Sequence, residues 1–244
     1  MYVFKKLIDG IECFGNLTLN LSVGGINPQA VYAAAQLGVK EIKMPTVHAA
    51  NHIKYMGKPG YAYFKEKNVP SSISQIRSIS VLTNEGELLP EVYDIFDIII
   101  KNDLILGTGH LSREEIMILV EEAKNFGVKK ILVTHADADL YNLSVEDQAK
   151  LSEWGAYIEH TFTRCMPYKD IEGRPRINPK EIAARIKRVG AEMCIMATDA
   201  GQFENPFPFE GMRLFIQNML RCGVTEKEIE MMIKVNQAKL LGLS

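Results

Sequence analysis

Residues 129–135, KKILVTH, decide the fold class. Two lysines lead into the short apolar run Ile131-Leu132-Val133, and Thr134 and His135 stand where that run ends. Before it, Ser112 to Phe126 has helical spacing. After it comes the polar loop Ala136, Asp137, Ala138, Asp139. A short continuous apolar run fed by a helix is the pattern of a parallel strand buried on both faces. In α/β folds, ligands gather at the carboxyl ends of such strands.

Outward from this stretch the unit repeats. Glu12–Asn20 reads as a strand, and Asn27-Pro28 opens a helix over Ala30–Leu37 that Gly38 stops. Val39–Pro45 is a second strand, with Lys40, Glu41 and Lys43 as its polar members. Residues 46–74 are irregular, an inserted loop that reads as cover for a site. Asn84-Glu85-Gly86 between Ile76–Leu82 and Leu88–Leu89 suggests a small hairpin, so an insert spans about 46–90. Pro90–Lys101 is a helix, Leu104–His110 a strand and its loop. Ser112 with Glu115 is a capping box for the helix that Gly127 closes. Beyond residue 135 follow a helix from Ser144 to Trp154, a strand over Ala156–His160, and a loop carrying Arg164, Arg174 and Arg176. A helix from Asn178-Pro179 to Val189, a strand over Glu192–Asp199 and two last helices complete the chain. Six strands alternate with helices in a single domain, residues 1–244. A closed (β/α)8 barrel needs eight, and an open doubly wound parallel sheet is the alternative. The barrel is favoured because polar residues close many different strands rather than one switch point.

With 244 residues, 47% of them hydrophobic, the chain can bury one sizeable core. Lys plus Arg is 28 and Asp plus Glu is 30, which gives no basic stripe for nucleic acid. No apolar run approaches the length of a membrane span, and charge interrupts the N-terminal run too early for a signal peptide. Cys13, Cys165, Cys194 and Cys222 have no metal-site spacing and read as reduced thiols of a cytoplasmic protein.

His110, His135, His160 and Asp199 each stand at or just past the end of an apolar strand. One such histidine alone reads as polar surface. Four positions of this kind, in a chain with five histidines, point to a shared centre. Imidazoles and a carboxylate are the donor set for zinc or another divalent first-row metal, which acidifies a bound water. Asp199 would ligate such an ion or take the proton of its water. Of the neighbours Glu159 and His160, one faces inward and the other away, and the spacing does not say which. His48 and His52 are secondary candidates, four residues apart without a His-Glu-x-x-His pattern. Arg164, Arg174 and Arg176 suit a substrate carboxylate or phosphate, though a solvated loop explains them as well. Gln202, in the loop after the last strand, is a further substrate-contact candidate.

The stretches FGNLTLNLSVGGINPQAV (14–31), KMPTVHAANH (43–52), LGTGHLSREE (106–115), ILVTHAD (131–137), YIEH (157–160), ATDAGQFENPFPFEGMRLF (197–215) and NQAKLLGL (236–243) resemble the amidohydrolase superfamily of metal-dependent hydrolases. More narrowly, they look like a poorly characterised bacterial and archaeal branch of it. The resemblance implies a TIM barrel in which His110 and His135 close strands 5 and 6, Glu159-His160 closes strand 7, and Asp199 closes strand 8 as metal ligand and proton acceptor. Zn2+ or another divalent metal, held mononuclearly by His110, His135 and Asp199, is the implied cofactor. A small molecule with an amide, ester or lactone bond is the implied substrate. Two alternatives are a non-oxidative decarboxylase on the same scaffold and a degenerate, non-enzymatic member.

This sequence departs from the superfamily pattern in two places. The opening His-x-His is absent, so residues 12–20 correspond to strand 3 and 39–45 to strand 4. By that correspondence the chain looks like a superfamily member without the first two βα units, roughly 50 residues. The other departure is Gln237, which replaces the proline of an Asn-Pro-Ala motif and is expected only to soften a helix start. An unclosed barrel leaves strand edges at 12–20 and 192–199, and such edges predict a homo-oligomer or a rearranged N-terminus as cover.

Overall fold

The protein is described here by a computed structural model covering residues 10–57, 77–166, 176–202 and 205–243. Six strands form one sheet: β1 (Asn16–Thr18), β2 (Glu41–Lys43), β3 (Ile105–Gly107), β4 (Ile131–Val133), β5 (Ala156–Thr161) and β6 (Cys194–Ala197). Their spatial order is the sequence order, and every neighbouring pair is parallel. A doubly wound sheet reverses its strand order at a switch point, and no reversal occurs here. One-step progression of parallel strands with helices between them is the winding of a (β/α)8 barrel. With six strands in the sheet among the described residues, it is an incomplete one.

The helices are α1 (Pro28–Gln36), α2 (Ala50–Met56), α3 (Pro90–Lys101), α4 (Arg113–Phe126), α5 (Val145–Glu153), α6 (Pro179–Val189), α7 (Pro208–Arg221), α8 (Glu226–Glu230) and α9 (Asn236–Leu241). Their starts follow the sequence signals. The Asn27 side chain accepts from the N–H groups of Gln29 and Ala30 ahead of Pro28. Ser112 and Glu115 form the expected reciprocal cap, and Ser144 with Asp147 and Thr225 with Glu228 form two more. Glu115 is buried because its second oxygen accepts from the Ser80 hydroxyl at 2.8 Å and from the Val81 N–H at 3.2 Å. One carboxylate thus caps the start of a helix and holds the inserted segment. Within that segment, Leu82 and Leu88 make an antiparallel bridge around Gly86, flanked by bonds from the Thr83 N–H to the Glu87 carbonyl at 2.7 Å and from the Leu89 N–H to the Val81 carbonyl at 2.9 Å. Ile76 and the short helix expected over residues 1–10 lie outside the described residues, Gly10 apart.

The large core fills the space between sheet and helices, with Leu106, Val133, Ile158 and Met196 among its strand residues. A smaller cluster lies on the opposite, inner face. Ile105, Leu132 and Ile195 meet Leu240 there, with Tyr157 and Leu241 at its margin. The terminal helix therefore plugs the amino-terminal end of the barrel interior.

That helix also finishes the β6 edge. Asn236 Nδ2 donates to the carbonyls of Ala191 and Cys194, each at 2.8 Å, and Gln237 Nε2 donates to the Met196 carbonyl at 2.9 Å. A π-helical turn, Met231–Val235, precedes the two amides. The cover expected from a second chain or from the N-terminus is supplied at β6 by the C-terminal helix. Gln237 likewise does more than soften a helix start: its amide satisfies a strand carbonyl, which a proline has no donor to do.

Candidate active site at the carboxyl ends of the strands

Three strand ends and one helix bring their side chains together. β3 runs through Thr108 and Gly109 to His110, β4 through Thr134 to His135, and β6 through Thr198 to Asp199. From α2, His52 reaches the same place. His135 Nε2 lies 3.3 Å from Asp199 Oδ1. The rings of His110 and His135 are 5.8 Å apart, centre to centre, in an edge-on arrangement. The His110 and His52 rings stack at 4.9 Å with their Nδ1 atoms 2.8 Å apart. One of those two nitrogens donates and the other accepts. His110, His135 and Asp199 thus share one centre, and His52 joins them.

The floor of the centre is tied strand to strand. The Thr108 hydroxyl accepts from the Thr134 N–H at 3.0 Å, and the Thr134 hydroxyl accepts from the Gly109 N–H at 3.3 Å. The Tyr141 hydroxyl donates to the Gly109 carbonyl at 2.8 Å. Asn51 spans α2 and two loops, donating to the carbonyls of Leu111 at 3.2 Å and Leu140 at 2.9 Å. The Thr163 hydroxyl donates to Asp199 Oδ2 at 3.1 Å. His135 and Asp199 both adopt left-handed backbone, with φ of +46° and +51°. Histidine and aspartate tolerate that conformation better than bulky residues, at a cost of roughly 1–3 kcal/mol each. Two such outliers facing one another mark a position where geometry outweighs backbone comfort.

Charge is divided unevenly across the centre. Burial, reinforced by the neighbouring His135 and His52, holds His110 well below the usual imidazole range, so it is neutral near pH 7. Burial also pushes His135 down, but the Asp199 carboxylate outweighs it and the imidazole is raised. For Asp199 itself burial acts upward, and His135 with the Thr163 hydroxyl holds it below the ordinary carboxylate value. His135 and Asp199 each favour the other's charged form, beside an imidazole that burial keeps neutral.

Strand alternation settles the Glu159-His160 question. Glu159 faces the barrel interior, where its Oε2 accepts the His135 N–H at 2.9 Å. His160 points outward and is fully buried, its Nδ1 2.7 Å from Asp137 Oδ2. Arg185 of α6 meets the other Asp137 oxygen at 2.8 Å. As a ligand of the central cluster, His160 is thereby corrected: it belongs to the layer between strands and helices.

Sequence reasoning gave no role to two residues of the interior. Glu41 and Lys43, two apart on β2, share one face, with Lys43 Nζ 3.6 Å from Glu41 Oε1. Burial raises the Glu41 carboxyl, and Lys43, Glu159 and His135 all act on it. Gly107, paired with Lys43 in register, leaves the room Glu41 occupies, since a methyl group there would overlap Glu41 Oε1. The parity of β2 was the available signal. Among the remaining candidates, His48 donates its backbone N–H to Asn20 Oδ1 at 3.2 Å beside β2. Arg164 is engaged with Asp139 at 3.0 Å, and Gln202 accepts from Asn205 within a turn. Arg176 lies at the start of the segment leading to α6, and Arg174 is outside the described residues.

The donor set of neutral His110, His135 and Asp199 has the chemistry a divalent zinc-like ion requires. Among the described residues, however, no three His, Cys, Asp or Glu side chains are arranged to close on one ion. The donors engage each other in pairs instead.

Parallel winding in sequence order defines the fold, and comparison with solved structures agrees with it. The chain has the incomplete (β/α)8 fold it shares with the following structures. An amidohydrolase from Pseudomonas aeruginosa matches with a TM-score of 0.59 at 13% identity, over 93% of this chain and 70% of that one. An organophosphorus hydrolase from Deinococcus radiodurans matches with a TM-score of 0.53 at 13% identity, over 93% of this chain and 78% of that one. Residues 1–159 match the profile described as "Family of unknown function (DUF6282)", and the chain belongs to that family. No curated protein matches it. None of the helices among the described residues is long and apolar enough to cross a membrane.

Proposed function

We propose that this chain is a metal-dependent hydrolase of a small-molecule amide, ester or lactone bond. The observation that carries the reading is the convergence of His110, His135 and Asp199 from three separate strand ends. The hydrolase names of the structural neighbours support it. His110, His135 and Asp199 would hold the ion. Bound there, it supplies Lewis acidity and a water acidified toward neutral pH. Asp199, fixed by the Thr163 hydroxyl, takes the proton from the attacking water. His110, neutral through burial, offers a lone pair without first losing a proton. Arg164, Arg176 and Gln202 are the groups on the strand-end side proposed to orient the substrate.

A second reading has its own observation. The pairs His52–His110 and His135–Asp199 satisfy one another, as in a degenerate member that keeps these side chains for stability. One experiment separates the two. Protein purified without chelator is analysed for bound metal alongside His110→Ala and His135→Ala. The hydrolase reading expects about one ion per chain in the wild type and its loss in both variants. It also expects cleavage of some member of an ester, lactone and amide panel to fall by more than about 100-fold in the variants, since even groups supporting a ligand are worth 10–100-fold. Absence of metal from the wild type, with no cleavage after zinc is added, would leave the degenerate reading standing. Release of carbon dioxide from a carboxylated substrate would point to decarboxylation instead.

A further inference from the structure

Three consecutive residues after β4 are each gripped from β5. Glu159 Oε2 accepts the His135 N–H and the Glu159 carbonyl accepts the Ala136 N–H, both at 2.9 Å. The next residue of β5, His160, holds the Asp137 carboxylate at 2.7 Å, both side chains being wholly buried. Because successive strand residues point to opposite faces, the first grip comes from inside the barrel and the second from outside it. Arg185 completes the outer one. Gln148 holds the turn again, donating to the Ala136 carbonyl at 3.2 Å. What all these bonds enclose is a histidine with left-handed backbone, a conformation that persists only where its surroundings fix it.

We propose that Glu159 and His160 are positioning residues, a clamp on both faces of β5 that fixes the turn at His135 and aims its imidazole at Asp199. The proposal rests on His135 being part of the reacting centre. A charged acceptor on a backbone N–H is among the stronger hydrogen bonds, and groups of this kind set the orientation of the side chains they support. Glu159 spends its carboxylate on the chain that displays the histidine and touches no substrate in this role.

The test compares Glu159→Gln and Glu159→Leu in the full chain, using nuclear magnetic resonance and zinc titration against a chromophoric chelator. Glutamine retains an accepting oxygen, so residue 135 is expected to keep its amide protection and its ring-nitrogen signals. Leucine removes the acceptor. Exchange at the residue 135 amide should then accelerate at least about tenfold, the ring signals of His135 should shift, and zinc affinity should fall about 10–100-fold. A lowered melting temperature in Glu159→Leu with the amide and ring signals of His135 unchanged would overturn the clamp. For the outer grip, His160→Leu leaves a buried carboxylate with one partner and can unfold the protein. The double variant His160→Leu with Asp137→Leu removes both partners, and it should fold with the His135 ring signals displaced. Undisplaced signals there would overturn the role of His160. If the wild type binds no zinc, the hydrolase reading fails, while the residue 135 amide and ring still decide the clamp.

Discussion

Gly109 has φ of +60°, and a methyl group at its Cα would overlap the carbonyl oxygens of Met44 and Pro45. Its N–H and carbonyl are both engaged, by Thr134 and Tyr141, so the backbone has no room to move aside. We expect Gly109→Ala to destabilise the fold by about 2–4 kcal/mol, measured by urea unfolding. It should also displace His110, which follows directly. At this scale His110, His135 and Asp199 were legible because each ends an apolar strand, a one-dimensional signal. Glu159 was named, but which of Glu159 and His160 faces inward was left open. Glu41 and Lys43 were given no role, because Lys40 beside them obscures the two-residue spacing that puts them on one face. His52 was visible only as spacing, since its partner, His110, lies 58 residues away.

Among the elements, the terminal helix behaves as a substitute for a neighbouring strand. Two side-chain amides at consecutive positions serve three carbonyls, two of them on β6. Asn236 is fully buried, so its replacement strands two carbonyls away from water. Asn236→Ala is expected to cost about 2–3 kcal/mol, seen as a lower urea midpoint. Gln237→Pro should cost less, because only one carbonyl loses its donor, and should expose the Met196 end of the edge. The strand and helix succession was readable from apolar runs, caps and glycine stops, and the six strands found match the six read. Edge protection was not readable. An asparagine and a glutamine in a helix look like ordinary polar positions until the strand they meet is known.

Over the whole molecule, buried ionic groups set the range of pH in which the fold is stable. Burial acts against the His160 imidazole, but Asp137 overrides it and pushes it up to about 10. Asp137, which burial would raise, is held below the usual carboxylate value by His160 and Arg185. An unfolded histidine titrates near 6.5 and an unfolded aspartate near 3.9. The stability from His160 is therefore fully present below about 6.5 and lost as pH rises through 10. That from Asp137 is present above about 3.9 and lost as pH falls below it. Asp147, lowered by its bond to Arg113, adds to the acid side. Glu228, brought to about 2 by Lys187 and its helix cap, is partly exposed and adds little. Melting temperature plotted against pH should decline as pH rises above about 6.5; it should also decline as pH falls below that value, because the buried neutral His110 must be protonated, and more steeply below about 4. In Asp137→Asn the alkaline decline should shrink to the part owed to His135, and urea unfolding should show stability lowered by about 3 kcal/mol, as expected when one partner of a buried ion pair is removed.

Leu240 and Leu241 pack on residues from β3, β4 and β6, and the two amides just before them hold the last strand. A nascent chain leaving the ribosome therefore cannot consolidate its sheet when β6 emerges. Until residue 241 has cleared the exit tunnel, the inner ends of the strands stay wet and one margin stays open. The sheet is completed only by residues that follow its last strand, and a holdase binding near the tunnel mouth would find its target in that interval.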